Sequence, residues 1–151
     1  MTTSSPKHRP EERARPAANI GLPLEGDVSV HARAWIEAGA RTYLGYGRVV
    51  LLERIDEHGS ISAAARSMGM SYRHAWDLVE SMNHLGGVPL VQTATGGSGG
   101  GGARLTEAGR AAVRLFRRLD GKLQEFRQEI AAELAELRAR PEATDRRAEA
   151  K

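Results

Sequence analysis

Six of the seven residues from Gly96 to Gly102 are glycine, with Ser98 the exception. Such a run pays the largest backbone entropy cost on ordering and has no side chains to bury, so it suits neither a helix interior nor a strand interior. It suits the tip of a hairpin. Short strand-like stretches flank it: Val88-Pro89-Leu90-Val91-Gln92-Thr93, with proline near the start where a ladder donor is dispensable, and Arg104-Leu105-Thr106 returning. A nucleotide-phosphate loop would need Gly-Lys-Ser/Thr opening a helix. Here the glycines lead into Arg104-Leu105, so nucleotide binding is set aside. An inert loop is the plainer alternative to a functional one.

The residues before this hairpin read as three helices. The apolar run Val49 to Leu52, with Ile55, follows Gly45 and Gly47 and ends at His58-Gly59, where glycine suits a left-handed C-cap. Ser60-Ile61-Ser62 then opens a short Ala63-Ala64-Ala65-Arg66-Ser67-Met68 segment of high helix propensity. Gly69 breaks it, and Ser71 caps a third helix from Tyr72 to Leu85 with Ala75, Leu78, Val79 and Met82 on one stripe. Two short helices joined at a glycine, with small residues (Ala64, Ala65, Ala75) for close crossing, are a helix-turn-helix. A hairpin directly afterwards is the wing of a winged helix. Met68, Met70 and Met82 read as core at helical spacing.

Upstream, Val28, Val30, Ala32, Ala34 and Ile36 alternate with polar residues as a half-buried strand, and Arg41 to Leu44 returns after a turn at Ala38-Gly39. Downstream, Thr106 caps a helix reaching about Arg140, with Pro141 as its stop. Phe116, Leu119, Leu123, Phe126, Ile130, Leu134 and Leu137 recur along it as a heptad seam with one stutter. A helix that long cannot bury the whole stripe on one small domain, so the seam points to a homodimer; folding back on its own domain is the alternative. The expected fold is α+β: a winged helix-turn-helix with an N-terminal β-hairpin and a long C-terminal dimerisation helix. Its expected divisions are a disordered tail over 1–26, the winged helix over 27–106, the helix over 107–140 and a second tail over 141–151.

DNA is the partner this motif order implies, because one helix fits the major groove with its first turn at the base edges. The helix starts supply Ser60, Ser62, Ser71, Tyr72, Arg73, His74 and Asp77, and the wing supplies Thr95, Gly97, Ser98 and Arg104. Arg73 is the foremost reader of a base or phosphate, against a plain i,i+4 pairing with Asp77. Trp76 reads as a packing residue against the hairpin or the first helix. Charge lends little support. The net charge is +3, residues 27–107 carry seven positive and eight negative side chains, and the excess falls on 108–140 with eight against five. No cysteine, no 18-residue apolar run and no N-terminal apolar core of a secretory signal are present, which favours the cytoplasm and excludes disulfides and thiolate metal sites. His58 and His84 lack neighbours at ligand spacing. With no nucleophile–base set or paired carboxylates, an enzyme is not expected, nor a metal or cofactor.

Several of these stretches together resemble a known family. Gly59 to Ala65, Met70-Ser71-Tyr72-Arg73-His74-Ala75-Trp76-Asp77, Met82-Asn83 and Ala94 to Thr106 closely resemble the DNA-binding domain of the molybdate-responsive regulators, the ModE family, and the frame is similar to the LysR-type winged helix. The resemblance runs from about Val28 to Leu119 and implies a homodimeric transcriptional regulator of molybdate transport or molybdoenzyme genes, acting on a double-stranded operator. Two departures stand out. Family members carry small β-barrels for molybdate or tungstate after this domain; about ten residues beyond Pro141 cannot build one, so the oxyanion signal is expected from a separate molybdate-binding protein. Ser98 stands at the wing tip where relatives often carry Lys or Arg, which weakens a phosphate contact there. Two other readings stay open: an interaction module docking a partner through its C-terminal helix, and a regulator unconnected with molybdate.

Overall fold

Gly59 marks the joint around which the domain is built. It adopts φ +73° at the end of a helix running Tyr46–His58 (α1), a conformation that favours glycine, and its amide donates back to the Ile55 carbonyl. Its own carbonyl accepts from the Ala103 amide at 2.8 Å, which ties the first helix to the wing. The computed structural model describes residues 22, 24–95 and 101–139, and residues 30–129 form one compact unit. The bulk of both expected tails and the wing tip, Gly97 and Ser98 included, lie outside the described residues.

The three helices form as local chemistry requires. Ser60 caps Ile61–Ser67 (α2) by accepting from the Ala63 amide at 3.0 Å, and Ser71 caps Tyr72–Leu85 (α3) by accepting from the His74 amide at 3.1 Å. Gly69, at φ +66°, turns the chain between them. Ala64, Ala65 and Ala75 are buried at the crossing, with Leu51, Leu52, Ile55, Val79 and Met82 around them. α1 begins one turn earlier than the apolar run suggests, because Gly45 is already extended and Tyr46 already helical.

Two antiparallel hairpins flank the bundle. Trp35–Ala38 (β1) pairs with Arg41–Gly45 (β2), with a bulge between Ile36 and Glu37. The strand expected from Val28 is therefore shorter: residues 28–38 keep the alternating half-buried pattern, but β2 passes into α1 after Gly45 and leaves nothing to pair with 28–34. A guanidinium serves instead, Arg127 donating to the Val30 carbonyl at 3.3 Å. The wing is Val91–Ala94 (β3) against Gly102–Leu105 (β4), in register from Val91↔Leu105 to Ala94↔Gly102. It starts later than Val88 and ends before Thr106, because Thr106 has other partners. Its amide donates to the Leu90 carbonyl at 2.9 Å, and its hydroxyl donates to the Pro89 carbonyl at 2.6 Å and accepts from the Gly109 amide at 3.0 Å.

That capping starts the long helix Glu107–Ala139 (α4). Gly109 sits against the Leu90 carbonyl so closely that a Cβ there would collide with backbone. Phe116 departs from the seam reading. At 1% exposure it is the largest fully buried side chain and belongs to the core of its own chain, with no face left for a second helix. Arg117 grips Glu53 of α1 in a two-point ion pair (Nε···Oε1 2.7 Å, Nη2···Oε2 2.6 Å) and lies 5.3 Å above the Tyr46 ring. In the smaller terminal unit, Arg138 donates to the carbonyls of Leu24 and Gly26, each at 3.0 Å. No helix among the described residues is long and apolar enough to cross a membrane.

The Arg117 guanidinium, by hydrogen bonding to it, holds the Glu53 carboxyl below the usual carboxylate range. A depressed folded-state pKa contributes stability that is present at neutral pH and lost as pH falls through the lowered value. Both side chains are more than a third exposed, so Glu53→Gln should cost no more than about 1 kcal/mol at neutral pH. Thermal denaturation from neutral pH to about pH 3 should show the gap between wild type and variant closing on acidification. A gap independent of pH would contradict this.

Candidate nucleic-acid interface

Asn83 places the wing beside the helix-turn-helix. From the last turn of α3 its side-chain oxygen accepts from the amides of Leu90 (2.8 Å) and Val91 (3.1 Å), and its amide nitrogen donates to the Val91 carbonyl (3.1 Å). The bend after α3 is thereby bolted to the helix, and β3 departs in one direction. The Gly59–Ala103 bond holds β4 from the other side.

Between these elements lies an open cleft of about 660 Å³. Its walls are α2 (Ser60 and Ser62 at its start, Arg66 in its last turn), the first turns of α3 (Tyr72, Trp76) and the wing (Thr93 to Thr95, Gly101 to Ala103). Of the residues expected from sequence to meet DNA, Ser60, Ser62, Tyr72 and Thr95 are brought together here. Ser60 divides its duty, since its hydroxyl oxygen already caps α2. Ser71, Arg73, His74 and Asp77 are exposed on the first turns of α3 but do not line the cleft. Arg73 is 89% exposed, and its 3.7 Å approach to Asp77 realises the i,i+4 pairing weakly. Arg104 lines a second concavity of about 590 Å³ with Gly59, Asn83 and Gln92.

Two lining residues escaped the sequence reading. Arg66, in the last turn of α2, makes no ion pair among the described residues and stands at the cleft. Trp76, expected to be a packing residue, is 38% exposed, lines the cleft and stacks on Tyr72, ring centroids 6.3 Å apart and planes 29° apart. The i,i+4 spacing of the two aromatics was a legible signal. Which side of the buried stripe they flank depends on how α2 crosses α3.

A helix-turn-helix whose exposed second helix is flanked by a two-stranded wing is the architecture of a DNA-binding winged helix. The bacterial regulatory helix-turn-helix proteins of the lysR family match residues 47–110, and over that segment the chain carries a helix-turn-helix of this type. The molybdenum-pterin-binding protein MopA of Rhodobacter capsulatus is 50% identical over 80 residues, 53% of this chain and 30% of MopA. The molybdenum transport protein ModE of Azotobacter vinelandii is 38% identical over 106 residues, 70% of this chain and 39% of that protein. The DNA-binding transcriptional dual regulator ModE of Escherichia coli K12 is 48% identical over 69 residues, 46% of this chain and 26% of that protein. The resemblance to the molybdate-responsive regulators stands, over a segment that spans well under half the length of these relatives.

Removing the Asn83 side chain leaves the Leu90 and Val91 amides without their acceptor at a part-buried site. Asn83→Ala should cost about 1–2 kcal/mol, read as a lowered melting temperature with earlier proteolysis within 88–95. A variant melting with wild type would show that the clamp does not hold the wing.

Proposed function

We propose that the protein is a sequence-specific DNA-binding transcriptional regulator that acts as a homodimer on genes of molybdate transport or molybdoenzymes. The observation that carries the DNA-binding part is the cleft itself. Capped helix starts, the Arg66 guanidinium, unpaired among the described residues, and hydroxyls on Ser62, Thr93 and Thr95 converge on one open face. Free amides at a helix N-terminus and exposed arginines suit phosphate, and the outward residues of the following turn suit base edges. Arg73 and His74 extend this surface along α3, and Arg104 extends it along the wing. The link to molybdenum rests on the names of the relatives. It is an assignment of target genes, and mapping the DNA bound in cells tests it: sites upstream of molybdenum-uptake or molybdoenzyme genes support it, and sites confined to unrelated genes overturn it.

The dimer is supported by α4. Leu119, Phe126 and Ile130 are exposed, Phe126 at 58%, and Leu123, Leu134 and Leu137 are half-buried, so the seam continues past the buried Phe116 with apolar surface still open. A two-stranded contact along it would join two reading surfaces, matching a palindromic operator.

Two outcomes follow. Arg73→Ala, at an exposed helical position, should change stability by less than about 0.5 kcal/mol and weaken operator binding by about 1–3 kcal/mol. A phosphate contact would also flatten the salt dependence by about one unit of slope, whereas a base contact would relax discrimination at one position. Unchanged affinity and slope would reduce Arg73 to the partner of Asp77. Sedimentation of the chain should give a dimer, and Phe126→Arg should give a folded monomer; a monomeric wild type at tens of micromolar would remove the seam's role.

A further inference from the structure

The Tyr72–Trp76 pair is an anomaly in a surface otherwise made of small, hydroxylated or charged residues. Large aromatics left open beside a functional cleft mark recognition more often than chance exposure. The pair sits on the first two turns of the helix whose N-terminus faces the cleft, next to Arg66. Neither the Trp76 Nε1–H nor the Tyr72 hydroxyl has a hydrogen-bond partner among the described residues. The Trp76 indole therefore offers an apolar face carrying a donor that cannot accept.

Each base edge in the major groove makes a different demand. Cytosine presents an amino donor and needs an acceptor such as a carboxylate. Adenine presents an acceptor beside a donor and is matched by an amide. Among the described residues no carboxylate or amide side chain lines this cleft, and its hydroxyls, which both donate and accept, do not discriminate between bases. Guanine presents two acceptors and no apolar group, which suits an arginine and not an indole. Thymine presents one acceptor, O4, beside a 5-methyl group. An indole edge with one N–H donor, backed by a phenol ring, complements that pair of features: methyl on ring, O4 on Nε1–H.

We infer that Trp76, supported by Tyr72, is a specificity-determining residue that reads thymine through its 5-methyl group and O4. The inference rests on the DNA-binding reading and deepens it. Trp76 sets which base is accepted, Tyr72 holds the indole plane against the cleft, and Arg66 anchors the neighbouring backbone.

The test uses the full chain and a duplex recovered from a random pool by that chain. Each thymine is replaced in turn by deoxyuridine, which removes only the methyl group. Wild type should lose roughly three- to fivefold in affinity at one or two thymines per half-site, the loss expected for one buried methyl. Trp76→Ala should bind the parent duplex more weakly and show no penalty for deoxyuridine at those positions. Trp76→Phe, which keeps a ring, should retain the penalty, and its folding is checked by its melting curve. A wild type indifferent to every deoxyuridine, or Trp76→Ala keeping the full penalty, overturns the thymine reading while leaving sequence-specific binding intact. If no sequence is enriched from the pool, the DNA-binding reading fails and this inference fails with it.

Discussion

Three hydrogen bonds from one side chain decide where the wing lies. Asn83 holds the Leu90 and Val91 backbone against α3, and Thr106 takes the carbonyls of Pro89 and Leu90 on the other side of the same bend. Gly109 lets α4 close onto it, since any side chain there would meet the Leu90 carbonyl. α3, β3, β4 and α4 thus meet at one short stretch of backbone whose polar groups are all engaged. Leaving such groups unpaired at this part-buried junction would cost more than each bond nets, which favours one geometry. The cleft inherits its shape from that junction.

Legibility in the sequence followed the range of the interactions. Ser60, Ser71 and Thr106 announced helix starts, and Gly59 and Gly69 announced turns, because caps and left-handed turns are settled within four residues. The alternation from Val28 was real as burial, yet it became a paired strand only where β2 lay opposite. Asn83 could be quoted from the sequence as part of a familiar stretch, but its clamp spans eight residues and needs the turn after α3 to be folded first. Phe116 carries the heptad spacing and still goes to the core, since the part of α4 that bears it packs on its own domain. Trp76 was read as packing because an indole is more often buried than displayed; the crossing of α2 over α3 puts it at the cleft instead.

Near-neutrality of residues 27–107 has a consequence for binding. Affinity for DNA grows with the number of phosphates neutralised, each adding about 0.9 to the salt slope. Among the described residues, one chain offers few cations in or beside the cleft: Arg66, the loosely paired Arg73 and Arg104. Such a surface favours discrimination over raw attraction, and joining two copies through α4 would double the contacts without adding charge to either domain. The Arg117–Glu53 pair and its stacking on Tyr46 keep the first part of α4 fixed to α1.

Amide hydrogen exchange of the full chain, with and without an enriched duplex at the same protein concentration, reports most directly on whether the cleft is the DNA surface. The account predicts slowed exchange on DNA addition in 60–66, 71–77, 91–95 and 101–105, with the β1–β2 hairpin unchanged. Slowing confined to the hairpin or to α4, with the helix starts and wing strands exchanging as in the free protein, would contradict it.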